Sequence, residues 1–187
     1  MNSSKSLFLV ALLPPQDIQD YANNIKQHFA DNYSSKHAQK SPPHITLQPP
    51  FKWRNDQLSL LEATLREFSS QQPSLSTTLN GFAAFSPRVI YINVVRSPEL
   101  LSLQTQLMTH IETKLEIVDE VSKKRPFSPH MTVAFRDLTR QNFQAAWPEF
   151  ANRQLYFEFI ADRLTLLMHD NRRWHIQSEF TFLSSSS

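Results

Sequence analysis

Pro43-His44-Ile45-Thr46-Leu47 recurs later in the chain as Pro129-His130-Met131-Thr132-Val133. Each copy reads proline, histidine, apolar, threonine, apolar. Along a β-strand, successive side chains point to opposite faces. His44 and Thr46 therefore share one face, and Ile45 and Leu47 share the other. His130 and Thr132 repeat the arrangement, with Met131 and Val133 turned away. The apolar face anchors each strand in a core, while the other offers an imidazole and a hydroxyl together. Two such strands facing each other would place two histidines and two threonines around one small anion. That grouping suits acid–base chemistry on a phosphate ester.

The rest of the chain sets bounds on this reading. Its 187 residues, 40% of them hydrophobic, suit one two-lobed domain with a sizeable core. A net charge of +2 and an isoelectric point near 9.0 lean weakly toward anionic partners, well short of a dedicated duplex-DNA binder. The lack of cysteine excludes disulfides, thiol nucleophiles and cysteine metal sites. The only glycine is Gly81, so glycine-rich phosphate loops are excluded. Turns that need positive φ must then draw mostly on Asn or Asp, such as Asn171. The apolar run from Leu7 to Leu13 is too short to span a bilayer and has no cleavage site after it. It reads as a buried strand, and the expected location is the cytoplasm.

Helical spacing of Ile18, Tyr21, Ala22, Ile25 and Phe29 predicts a helix after Pro14-Pro15. A polar loop, Ser34 to Ser41, leads into the first histidine strand. Leu58, Leu61, Leu65 and Phe68 mark a second helix. Strands follow at about Leu75 to Phe85 and Val89 to Val95, the second with Val89, Tyr91, Asn93 and Val95 on one face. Ser97-Pro98 opens the clearest helix, through Leu100, Leu103, Leu107, Ile111 and Leu115. A basic loop with Lys123, Lys124 and Arg125 precedes the second histidine strand. Phe143 to Phe150 reads as a short helix interrupted at Pro148. Leu155 to Met168 and Trp174 to Phe182 read as long strands, and Ser184 to Ser187 as an unstructured tail. The halves rhyme, which predicts an α+β, bilobal, duplicated fold: two antiparallel sheets line a central cleft, with helices outside.

These residues resemble the two-histidine phosphoesterase superfamily, which includes 2′-5′ RNA ligases and RNA 2′,3′-cyclic phosphodiesterases. Both motif copies match in full. Leu7 to Pro15, Gly81 to Phe85, Arg88 to Ile92 and Phe127-Ser128-Pro129 extend the likeness over most of the chain. The resemblance implies a cleft in which His44 and His130 are catalytic and Thr46 and Thr132 bind phosphate, with no metal or other cofactor. It implies RNA or a nucleotide as partner, carrying a 2′,3′-cyclic phosphate or a 2′-5′ linkage, and neither a membrane nor a protein partner. The leading expectation is metal-independent hydrolysis of 2′,3′-cyclic phosphates. The alternatives are 2′-5′ cleavage or ligation, a small cyclic phosphate, and a non-catalytic RNA-end or nucleotide binder. The usual family product, a 2′-phosphate, suggests His44 as acid and His130 as base, without deciding it.

Members often carry an arginine five residues after the second histidine. Here Phe135 stands there and Arg136 follows, expected on the face of His130, Thr132 and Ala134. Phe51, Trp53 and Arg54 follow the first motif and are candidates to stack on a base or touch phosphate, against ordinary packing and a solvated arginine. Arg88 and Tyr91 flank a strand expected at the cleft. Lys123, Lys124 and Arg125 read either as a guide for RNA or as a solvated loop. His169 and His175 bracket a turn and lack an evident third metal ligand. His28, His37 and His110 read as surface or packing residues.

Overall fold

A computed structural model describes residues 4–183. The expected tail, 184–187, lies outside them. The elements run β1 (Lys5–Leu12), α1 (Gln16–Tyr33), β2 (Ile45–Arg54), α2 (Leu58–Ser69), β3 (Leu75–Phe85), β4 (Val89–Val94), α3 (Pro98–Leu115), α4 (Glu120–Lys123), β5 (His130–Ala134), α5 (Arg140–Ala151), β6 (Tyr156–Ala161), β7 (Arg163–His169) and β8 (Trp174–Thr181). They form two antiparallel four-stranded sheets, ordered β2-β1-β7-β8 and β5-β4-β3-β6. The α+β, two-sheet expectation holds.

The two orders correspond strand for strand. In each sheet a histidine strand forms one edge and pairs with the strand that precedes it by a helix. The edge position explains how β2 tolerates Pro49 and Pro50, since an edge strand can leave backbone donors unpaired. The helices are exchanged between the sheets. α1 links β1 to β2 yet packs against β5, and α3 links β4 to β5 yet packs against β2. β2 and β5 also lie against each other. This crossing merges the two sheets into one core that includes Phe8, Ile45, Leu47, Ile90, Ile92, Met131 and Val133.

The lobes are therefore interleaved rather than successive halves of the chain. The crossing point corrects the reading of Leu155 to Met168 as one strand. β6 ends at Ala161 in one sheet, and β7 begins at Arg163 in the other, with Asp162 between them. Two further elements differ from expectation. Residues Glu120–Lys123 of the basic loop form the short α4, capped by Asp119, whose carboxylate accepts from the Val121 and Ser122 amides. α5 runs unbroken through Pro148, which falls in its last turn.

α3 shows why the helices form where they do. The Ser97 hydroxyl accepts from the Leu100 amide, Pro98 opens the first turn, and five aliphatic residues bury one stripe. Its end is a left-handed Glu116 with φ 56°. Asn171 takes positive φ as expected, but so do Ser34, Glu116 and Arg136, which the Asn/Asp expectation did not foresee. No helix of the described residues is long and apolar enough to cross a membrane.

Candidate active site

The proline-led turns before β2 and β5 place the two histidines alike. His44 Nδ1 lies 2.7 Å from the Pro42 carbonyl oxygen, and His130 Nδ1 lies 2.7 Å from the Ser128 carbonyl oxygen. A carbonyl only accepts, so each Nδ1 carries the proton and donates it. In the neutral ring Nε2 is then the free base. The two rings are close enough for a charge on His130 to oppose one on His44. Thr46 lies opposite Ala11 of β1, and Thr132 lies opposite Tyr91 of β4. Both threonines are half-buried, and among the described residues neither hydroxyl has a hydrogen-bond partner.

The surroundings of the two rings differ. Burial pushes the His44 imidazole down to about 4, and Lys26 and His130 push it the same way, against the Pro42 carbonyl. Burial also lowers His130, opposed by the Ser128 carbonyl. His130 is seated among aromatic rings, with Phe85 edge-on at 5.1 Å and Tyr91 tilted at 5.2 Å between centroids. Tyr91 is only 7% exposed, so it supports His130 more than it offers a stacking face. Phe85, at 42% exposed, is the open aromatic surface here. Asn93 pairs across from His130 and donates to the Asn80 carbonyl at 3.2 Å.

A cavity of about 660 Å³ opens beside Thr46 and His130 and runs along α3. Met108 and Phe127 contribute apolar walls, and Arg96 and Arg125 contribute charge. Lys123 also lines it but is held by Glu112 at 2.5 Å.

Several expected contacts are not at this site. Phe51 is 8% exposed in the core, with its ring 6.2 Å from that of Phe8. Arg54 forms a double contact with the Asp56 carboxylate at 3.0 and 2.7 Å. It sits at the far end of β2, roughly 30 Å along the strand from His44. Trp53 donates to the Gln57 carbonyl at 2.8 Å. Arg88 is exposed at the β3–β4 turn, roughly 16 Å along β4 from the residue opposite His130.

Arg136 departs from the expected face for a local reason. A β-bulge between Thr132 and Ala134 turns Ala134 into the core with Ile90, and β5 ends there. Arg136 then takes φ 60°, covers the Phe135 ring and approaches His37. His175 Nε2 donates to the Asp170 carboxylate at 2.6 Å, and His169 packs on Trp174, so the β7–β8 turn engages both histidines.

Phe85, Asn93 and the α3 cavity had no signal in the motifs. Alternation along β4 marks Asn93, because it shares the face of Tyr91.

Two histidines and two threonines on adjoining edge strands, on two matched sheets, define a two-lobed protein of the two-histidine class. Residues 14–173 match the family described as the 2′-5′ RNA ligase superfamily, and the chain belongs to that superfamily. A protein of Geobacillus kaustophilus named "Putative phosphoesterase" is 28% identical over 91% of this chain and 93% of its own. One of the same name from Bacillus licheniformis is 29% identical over 91% and 95%. Among solved structures, TT0787 of Thermus thermophilus superposes with a TM-score of 0.65 at 17% identity, covering 94% of this chain and 97% of that one. Escherichia coli LigT in apo form also gives 0.65, at 16% identity over 97% and 100%. LigT has further been solved in complex with 3′-AMP and with ATP.

Proposed function

We propose that the protein hydrolyses 2′,3′-cyclic phosphate ends of RNA or nucleotides by metal-independent acid–base catalysis. The observation that carries this reading is the matched pair of rings, each with Nδ1 pinned at 2.7 Å and Nε2 free. One Nε2 takes a proton from water as its oxygen attacks phosphorus. The other gives a proton to the ribose oxygen as its bond to phosphorus breaks. The ring opens to a phosphomonoester and a free hydroxyl, and the two histidines exchange protonation states. Each transfer contributes about 100- to 10,000-fold in rate. Thr46 and Thr132 donate to nonbridging phosphate oxygens as charge builds there. Since two side chains supply both proton transfers, the scheme needs no metal hydroxide.

The α3 cavity supports an oligonucleotide over a bare phosphate. It is continuous with Thr46 and His130 and combines apolar walls with Arg96 and Arg125, which suits bases and their phosphates. The nucleotide complexes of LigT add a fold-level analogy.

The test is hydrolysis of a short RNA ending in a 2′,3′-cyclic phosphate, in EDTA, with 2′- and 3′-phosphate products resolved. Turnover by wild type that is lost in His44→Ala and His130→Ala is the expected result. Activity confined to 2′-5′-linked substrates would replace the substrate assignment. Binding that survives both substitutions, with no wild-type turnover, would replace the enzyme by a binding module.

A further inference from the structure

Lys26 lies on α1, outside both motifs, yet it is 2% exposed. Its Nζ donates to the Ser41 carbonyl at 2.8 Å. Among the described residues no carboxylate pairs with it. Burying a lone ammonium without a counter-charge is costly, and an apolar side chain of similar size would avoid that cost. Ser41 directly precedes Pro42, whose carbonyl holds His44 Nδ1. Lys26 therefore fastens the turn that aims His44; burial lowers its amine to about 7, and below that pH its charge opposes a proton on that ring.

The elements packed against α1 bring few other charges. The short helical turn His37–Lys40 carries His37 and Lys40, β5 carries His130, and α5 carries Arg140 and Glu149. Glu149 is occupied by His28, Tyr33 and Arg153. Only Lys26 and His130 act electrostatically on His44.

Resting on the hydrolysis proposed above, we infer that Lys26 is a positioning residue for His44, fixing its ring through the Ser41–Pro42 turn.

Three proteins separate the possibilities: wild type, Lys26→Met, which keeps length but not charge, and Lys26→Arg, which keeps charge. Two readouts are needed, kcat on the cyclic-phosphate RNA and the titration of the His44 ring followed by NMR. Lys26→Met is expected to fold, to lower kcat by about tenfold to a hundredfold, and to move the His44 midpoint to higher pH. Lys26→Arg is expected to restore the wild-type midpoint. A Lys26→Met protein with wild-type kcat and an unmoved His44 midpoint would overturn the inference, reducing Lys26 to a space-filler. The NMR readout needs no turnover. A missing wild-type activity therefore counts against the hydrolysis reading, while an unmoved midpoint counts against the role of Lys26.

Discussion

His130 and Tyr91 sit on neighbouring strands with ring centroids 5.2 Å apart, although the side chain directly across from Tyr91 is Thr132. Tyr91 thus lies beside the imidazole and the hydroxyl of the second motif at once. Removing its ring is expected to cost about 3 kcal/mol of stability, as for other large-to-small changes at buried aromatic sites. It is also expected to lower kcat about tenfold by loosening His130. Tyr91→Phe keeps the ring and should retain both properties. Denaturant unfolding and steady-state rates on the two variants check this. Equal loss in Tyr91→Phe would mean that the hydroxyl, not the ring, matters.

The four motif residues should behave as a unit. His44→Ala and His130→Ala are each expected to reduce kcat by about 100- to 10,000-fold. The double variant should be little worse than the poorer single one, because one missing transfer already stalls the reaction. Thr46→Val and Thr132→Val remove one donor each and should cost about a hundredfold. Single-turnover rates on all five proteins would show strict additivity if the two histidines acted independently.

Stability should depend on pH through His44. Its folded value near 4 lies below the ordinary 6.5, so the unfolded chain binds a proton that the folded ring refuses. Between those values the unfolded state holds more protons, and stability falls as pH falls from 6.5 toward 4. The full effect is about 3 kcal/mol, complete below pH 4 and absent above 6.5. His44→Gln cannot titrate. Urea unfolding of both proteins between pH 4 and 7 should give curves that diverge on the acid side, and parallel curves would contradict the placement of His44.

Much of this arrangement was legible in the chain because strand alternation is a local rule. The repeated motif identified both faces of β2 and β5 without any tertiary information. The aliphatic stripe of α3 did the same for its buried side. The partners of each strand were not legible, because β1 pairs with β7 across more than a hundred residues and no local pattern encodes that choice. The crossing at Asp162 was hidden for a related reason: both flanking strands are β-prone, and the switch of sheet has no glycine or proline to mark it. The face of Arg136 departs from simple alternation because one bulge inverts everything after it. Lys26 did carry a signal. It lies four residues after Ala22 and three before Phe29, on an otherwise apolar stripe, where a solvated lysine has no place.

The scarcity of glycine leaves stability to be gained at helix ends. Glu116 closes α3 in the left-handed conformation, with φ 56° and its amide bonded to the Glu112 carbonyl. A side chain in that region crowds its own backbone, whereas glycine adopts it freely. Glu116 is exposed, so replacing it removes no core packing. Glu116→Gly is expected to stabilise the fold by about 0.5–1 kcal/mol, the gain from relieved strain less the greater freedom of glycine in the unfolded chain. Glu116→Ala keeps a Cβ and should gain little. A thermal unfolding midpoint that rises for glycine but not alanine is the expected pattern. Equal midpoints in the two variants would show that the left-handed turn stores no strain worth relieving.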